Sequence, residues 1–433
     1  MFMEYRSLTR DPAKVLAGLT TAKSVAAISS IQLVGSGSAD IIKSVFRSID
    51  KKSIDISEGQ ILHGFIFDSD RDIDPAPLNI QINKERCGID EVVIGCEGKD
   101  SFSINCHGNP LIVENILELL KKHNVRITEP QEILAYLGSQ KYGDNTIAIE
   151  ADIAITQSAT LDGAKIIAHQ TKMGLLQTAE WWLNPAPSVD SNLNVRRCGM
   201  KNLNVMQIDD IKAGAERILN DSKIAELFIK GAKVVIAGPP NSGKSTLFNY
   251  LCGKEKAIVT DIAGTTRDWL SAKIRLKKTQ AEFFDTAGLD ETLSGKNVVD
   301  AESQKQAAEL IKIADLVLFV LDCTEPPAKP GAKYEDKPRP QGSGLTELVV
   351  YNKCDLANNL LVDGLKISAK TGSGIKELID EIEQALDVWD FDMRKTVCFT
   401  DRQKKILEQI ASADTKQKIE RLITELLKGA LVV

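Results

Sequence analysis

Short apolar runs alternate with helix-like stretches over the first third of the chain. "SVAAISSIQLVG", "QILHGFIFD", "EVVIGCEG" and "SFSINCHG" read as strands, while "SADIIKSVFRSI" and "PLIVENILELLKKH" read as helices. Ser38 or Asp40 can cap the first helix, and Asn109 followed by Pro110 gives the second a cap and a first-turn proline. Residues 1–127 are therefore expected to form a small mixed α/β domain. From 128 to 229 the strand signals fade, and "EADIAITQSATLDGAKIIAHQTKMGLLQTAEWWL" and "DIKAGAERILNDSKIAELFIKG" place apolar residues at helical intervals on either side of "NPAPSVDSNLN". A helical domain is expected there. Trp181 and Trp182 are adjacent, so only one can face a helical core squarely, and core packing is the expected role. At "GAKVVIAGPPNSGKSTLFNYLCG" the pattern turns to a buried strand, a glycine-bearing turn and a helix, which opens a doubly wound α/β domain over 230–387. Within it, "EPPAKPGAKYEDKPRPQGSG" (325–344) has nothing to bury and reads as a mobile surface loop. Two amphipathic helices, in "TDRQKKILEQIASA" and "TKQKIERLITELLKGALVV", fill 388–433 and are expected to complete the helical domain.

Composition sharpens this picture at three points. No apolar run approaches the roughly 20 residues that span a bilayer, and "MFMEYRSLTRDPAK" lacks the hydrophobic stretch of a leader. A cytoplasmic protein without membrane contact is expected. The formal net charge of -6 argues against binding nucleic acid by bulk electrostatics, so DNA is not an expected partner, although a local basic groove is compatible with it. The cysteines Cys87, Cys96, Cys106, Cys198, Cys252, Cys323, Cys354 and Cys398 form no C-x-x-C pair, and the gaps leading to Cys106-His107 match no common ligand spacing. Small buried thiols are the expected reading.

The chemistry is concentrated in the third domain. Gly238-Pro-Pro-Asn-Ser-Gly243-Lys244-Ser245 fits G-x-x-x-x-G-K-[ST] between a strand and a helix, where glycines let main-chain N–H groups converge on a phosphate and the helix N-terminus adds its dipole. Asn241, Ser242, Gly243, Lys244, Ser245 and Thr246 are the candidate phosphate contacts. Lys244 would bridge β- and γ-oxygens, and the Ser245 hydroxyl would ligate magnesium. "AEFFDTAG" delivers Asp285 to a strand end, where it can hold magnesium through water, and Gly288, whose N–H can meet a γ-phosphate. Between these boxes, "AIVTDIAGTTRDWL" offers Thr266 as a magnesium ligand that engages only when the γ-phosphate is present, making the loop a switch. "LVVYNKCD" supplies Asn352, Lys353 and Asp355. The Asp355 carboxylate suits the guanine N1–H and N2 amine and would stay unpaired against adenine. "ISAKTGSG" closes the pocket with Ser368, Ala369 and Lys370, the Ala369 N–H being placed for guanine O6. GTP or GDP with Mg2+ is the ligand this set describes.

Those stretches, "GPPNSGKST", "AIVTDIAGTTRD", "DTAGL", "NKCD" and "SAK", resemble the MnmE (TrmE) tRNA-modification GTPases, above all in the run from Thr260 to Asp268. Outside them, "INCHGNPLIVENILELLKKHNVRITEPQEI" and "IEADIAITQSATLDGAKIIAH" look like the family's N-terminal and helical segments. The resemblance implies a homodimeric, potassium-stimulated GTPase acting on the tRNA wobble uridine with a flavoprotein partner. It implies a potassium ion marked by Asn241 and caged around Thr260, Ile262 and Thr265, where a cation offsets charge on the transferring phosphoryl group. It also implies a water-orienting carboxylate beyond the D-T-A-G box. Leu289 cannot supply one, although Ras-like GTPases carry their water-orienting glutamine at that position.

Alignment with the family puts Asp300 where it has a glutamate. Asp300 is one methylene shorter, Glu302 and Asp290 are alternatives, slow hydrolysis is another, and the plain reading of Asp300 is a helix N-terminal acid favoured by the dipole.

The chain departs from the family elsewhere. Gln32 stands at the place of an arginine, which puts the family's tetrahydrofolate derivative in doubt. "LAYLGSQKYGDN" lacks a helical-domain segment, and "LLKGALVV" stands where the family has a cysteine-bearing tail. Two further readings therefore stand beside the first: a regulatory or ribosome-assembly switch without modification chemistry, and a nucleotide-bound scaffold that barely hydrolyses.

Overall fold

The computed structural model describes residues 15–49, 56–68, 88–184, 207–254, 270–285, 310–324, 346–356 and 364–429. It divides into two compact units, Met1–Ile153 with Thr424–Val433, and Ala154–Ile423. The segment 325–344 lies outside the described residues.

In the first unit, alternating apolar and polar positions produce a sheet with one buried face. Its strands are β1 (Leu16–Leu19), β2 (Ile28–Val34), β3 (Phe46–Ser48), β4 (Ile61–Ile66), β5 (Asp90–Gly98), β6 (Ser101–His107) and β7 (Arg126–Ile127), in the order β3-β4-β5-β6-β2-β1-β7. Every pairing is antiparallel except β1 with β7. Ile31, Leu33, Val92, Ile94, Phe102 and Ile104 fall on one face and pack with Ile42 and Val45 of α1 (Ser38–Val45) and Ile116, Leu119 and Leu120 of α2 (Pro110–Lys122). The other face is polar around Ser30 and Gln32: Ser30 donates to Asn105 at 2.6 Å, and Gln32 donates to Glu97 Oε2 at 2.8 Å and Ser101 Oγ at 3.2 Å. Leu16 and Val34 pack with Ile133 of α3 (Pro130–Tyr142), whose Ala135 meets Ile149 of α4 (Thr146–Gln157). Thr146 also donates to the Gly429 carbonyl at 3.0 Å, anchoring the last described residue to this unit.

The start of α1 differs from expectation. Its N-cap is Gly37, left-handed at φ 96°, with no side-chain cap, and Ser38 is the first helical residue with its buried hydroxyl unpartnered among the described residues. A glycine in that conformation bends the chain into the helix without a polar side chain. The cap of α2 is as expected, Asn109 accepting from the Leu111 N–H at 3.0 Å ahead of Pro110.

In the second unit come α5 (Leu161–Gln170), α6 (Leu175–Leu183) and α7 (Ile208–Ile229). Thr160 caps α5 by accepting from Gly163 N–H at 2.9 Å and donates to the Phe228 carbonyl at 2.7 Å. Gly163 lets these helices meet, since a Cβ there would lie 2.4 Å from Phe228 O. Trp182 is buried and lies over Gly214 of α7, whereas Trp181 is 38% exposed, as adjacent helical positions require. Core packing thus holds for Trp182 alone.

A six-stranded sheet follows, with β8 (Ala232–Ala237), β9 (Leu270–Arg275), β10 (Gln280–Asp285), β11 (Leu316–Asp322), β12 (Thr346–Asn352) and β13 (Leu365–Lys366) in the order β13-β12-β11-β8-β10-β9. Only β9 is antiparallel to its neighbour. Helices α8 (Lys244–Lys254) and α9 (Ile375–Ala385) belong to this part, and α10 (Asp401–Ala411) and α11 (Lys416–Lys428) close the described chain. The fully buried Gln170 joins segments far apart in sequence. Its Nε2 donates to the carbonyls of Ile166 and Lys395, both at 3.0 Å, while its Oε1 accepts from Leu175 and Val397 at 3.0 and 3.1 Å. That uses the whole bonding capacity of the amide.

Among the described residues no helix is long and apolar enough to cross a membrane, and no group of three acidic, His or Cys side chains could hold a metal ion. Cys106 is a buried thiol. Burial, with the nearby Asp90 charge adding to it, pushes the Cys106 thiol up to about 11, and the His107 ring is hydrogen-bonded to Asp90 at 2.8 Å.

Candidate nucleotide site

The strand order of the second sheet reverses about β8, with β10 on one side and β11 on the other, and open α/β sheets bind ligands beyond the carboxyl ends of their strands at such a point. The loop after β8 is shaped for that position. Gly238 (φ 148°) runs so close to β11 that a Cβ would lie 2.2 Å from Val320 O, and a Cβ on Gly243 (φ 92°) would lie 2.2 Å from Asn352 Nδ2. Asn241 is left-handed at φ 63°, a conformation asparagine tolerates better than most residues. Left-handed residues on either side of Ser242 bend the chain in the way that makes main-chain N–H groups converge on an anion. Lys244 opens α8 with its side chain buried, its ammonium donating to the carbonyls of Gly238 at 3.0 Å and Pro239 at 2.9 Å. Ser245 and Thr246 follow, exposed, in the first turn of the helix.

Asp285 ends β10, paired in register with Ile236 of β8 and 8% exposed. A carboxylate and a hydroxyl flanking a phosphate loop are hard oxygen donors of the kind magnesium takes. These residues fit that ion.

The opposite wall is organised by Asn352, at the end of β12 and 2% exposed. Its Nδ2 donates to Ser242 O at 2.9 Å and its Oδ1 accepts from Ala369 N–H at 2.9 Å, so one amide ties the loop at 238–243 to the segment at 368–374. The Ala369 N–H, expected at guanine O6, donates here to the buried Asn352 Oδ1. Buried Ser368 stiffens the same segment, its Oγ accepting from Thr371 N–H at 3.1 Å, while Lys370 is exposed.

Lys353 follows with φ 65° and donates through Nζ to Asp322 Oδ2 at 2.5 Å. Burial is the largest influence on Asp322 and raises its pKa. Hydrogen bonds from Lys353 and Thr324 together outweigh it and hold the carboxyl below its usual value. Asp355 stands exposed in a short helical turn, Cys354–Leu356. Asp322 belongs to no nucleotide motif; its one signal in the sequence is an acid closing the apolar run "LVLFVLD".

The fold thus brings Asn241, Ser242, Gly243, Lys244, Ser245, Thr246, Asp285, Asn352, Lys353, Asp355, Ser368, Ala369 and Lys370 to the strand-end edge of one sheet. Thr260, Ile262, Thr265, Thr266, Gly288, Leu289, Asp290, Asp300 and Glu302 lie outside the described residues. In the first unit, Gln32 spends both amide hydrogens on Glu97 and Ser101, so the position presents a carboxylate and no cation. That does not fit an anionic group recognised by arginine.

The family model described as a 50S ribosome-binding GTPase matches residues 233–353. The chain is 30% identical over 385 residues to the tRNA modification GTPase MnmE of Endomicrobium trichonymphae, covering 85% of this chain and 80% of that protein. To MnmE of Thermosipho melanesiensis it is 31% identical over 323 residues, with 72% and 71% covered, and to that of Aquifex aeolicus 31% over 298 residues, with 66% and 65% covered. On these matches, the chain is a GTPase and belongs to the MnmE family of tRNA modification GTPases.

Proposed function

We propose that this GTPase binds GTP at the edge just described and uses its hydrolysis in modifying the wobble uridine of tRNA. The Asn352 clamp carries the reading of the site, because it joins the phosphate-side loop to the base-side segment through one buried amide. The N–H groups of 241–246 would cradle the phosphates, with Lys244 exchanging its carbonyl partners for β- and γ-oxygens. Ser245, Asp285 and Thr266 would hold Mg2+, which neutralises phosphate charge when bound. Asp355 would read the guanine edge beside Lys353, with Gly288 at the γ-phosphate. We extend the reading to a potassium ion at Asn241, Thr260, Ile262 and Thr265, and to Asp300 as the group that orients water. A homodimer with tRNA and a flavoprotein as partners completes it, in a chain divided at 1–127, 128–229, 230–387 and 388–433.

A second reading, a regulatory or ribosome-assembly switch, is favoured by the description of the family model over 233–353 and by the missing cation at Gln32. Mass spectrometry of wobble nucleosides in tRNA from a strain lacking this chain separates the two. The first reading expects the modified uridines to be lost. An unchanged nucleoside profile would discard it in favour of the switch.

A further inference from the structure

Asp322 belongs to none of the nucleotide motifs, yet it touches the segment where two of them meet. It stands level with Asn352 where β11 runs beside β12, and the next residue keeps the strand ends paired, Cys323 N–H donating to Asn352 O at 3.0 Å. From Asn352 the chain turns through Lys353, left-handed at φ 65°, before the short helical turn that carries Asp355. For an ordinary L-residue this conformation costs on the order of 1 kcal/mol or more, so the surroundings must hold it.

Asp322 does so. Its Oδ2 accepts from Lys353 Nζ at 2.5 Å, with side-chain exposures of 11% and 31% for the two partners. Its Oδ1 accepts from Thr324 N–H at 2.8 Å and Thr324 Oγ1 at 2.7 Å. The carboxylate is thus fixed by its own turn on one oxygen and, among the described residues, offers the other to Lys353.

The geometry points to Asp322 as a positioning residue for base recognition. By holding the Lys353 ammonium it fixes that residue between the Asn352 clamp and Asp355, so that the Asp355 carboxylate meets the base edge in one orientation. This inference rests on the reading above in which Asp355 recognises guanine. Asn at 322 has nearly the same shape and keeps an oxygen for Thr324, but it turns an amide N–H toward the ammonium. Asp322→Asn therefore removes the lysine contact and little else.

The test titrates GDP and inosine diphosphate, which lacks the 2-amino group, into the full-length protein with Mg2+. Asp322→Asn is expected to weaken GDP about tenfold, the scale of one charge-assisted hydrogen bond, and to shrink the preference for GDP over inosine diphosphate. Lys353→Met is expected to do the same, so it reports on the contact should Asp322→Asn fail to fold. In the Lys353→Met background, Asp322→Asn should change GDP affinity less than about twofold, since the paired partner is already gone. A role in packing alone would lower the unfolding midpoint and leave the preference unmoved. A wild-type preference in Asp322→Asn, or the same loss in both backgrounds, overturns the inference. Asp355→Asn is the control for the underlying reading: if it keeps the wild-type preference that reading falls, whereas its loss beside an unaffected Asp322→Asn removes only the role of Asp322.

Discussion

Asn352 spends both ends of its amide on main chain, at Ser242 and at Ala369, in a place closed to water. Asn352→Ala leaves the Ala369 N–H without its partner and the Ser242 carbonyl without its donor, at a cost of about 1–3 kcal/mol for each buried group. GDP affinity is therefore expected to fall at least about tenfold, together with the unfolding midpoint, as read by calorimetry and thermal denaturation; wild-type affinity would contradict the clamp. Asn352 and Asp355 were legible because "NKCD" follows an apolar run that ends where a strand must reach the sheet edge. Asp322 was not, since an acid after an apolar run is also how an ordinary strand reaches solvent. The bond from the Ala369 N–H to Asn352 was not legible either, because a hydrogen bond across 17 positions depends on how two strand ends lie side by side. Ser38 and Asp40 were misread for a related reason. Capping residues show in sequence, but the left-handed turn at Gly37 that replaces a side-chain cap is a backbone property.

At the scale of elements, α5 meets the C-terminal end of α7 through Thr160 and Gly163. Gly→Ala inside a helix usually gains about 0.5–1 kcal/mol. Here the new Cβ would lie 2.4 Å from the Phe228 carbonyl, and main chain locked in a helix end cannot swing aside as a flexible side chain could. The sign should reverse, with Gly163→Ala losing about 1–3 kcal/mol and unfolding at a lower denaturant concentration; a raised midpoint would show that the helices separate freely. The helices themselves were readable from apolar spacing, and so were the alternating strands of the first sheet. Their joints were not. Gln170 bonds to Lys395 and Val397 across 225 and 227 positions, and nothing local to a glutamine announces partners that distant.

At the scale of the molecule, the second sheet arranges its strands so that β8, β10, β11 and β12 all end at one edge, where we place the guanine nucleotide. The motif order along the chain made this architecture legible, because a phosphate loop, a D-T-A-G box and N-K-x-D recur at strand ends of a doubly wound sheet for one physical reason: that edge is where loops converge. Leu289 lies outside the described residues, and Gln32 belongs to the first unit. We expect this edge to select guanine through Asp355. Asparagine there would trade an acceptor for a donor, which suits the 2-oxo group of xanthine in place of the guanine 2-amine. The direct measurement is calorimetry of GDP, ADP and xanthosine diphosphate with the wild-type protein and Asp355→Asn in the presence of Mg2+. We expect the wild type to bind GDP and reject ADP, and Asp355→Asn to bind GDP about a hundredfold more weakly while gaining xanthosine diphosphate. Equal affinity of the wild type for GDP and ADP, or an unaltered preference in Asp355→Asn, would contradict it.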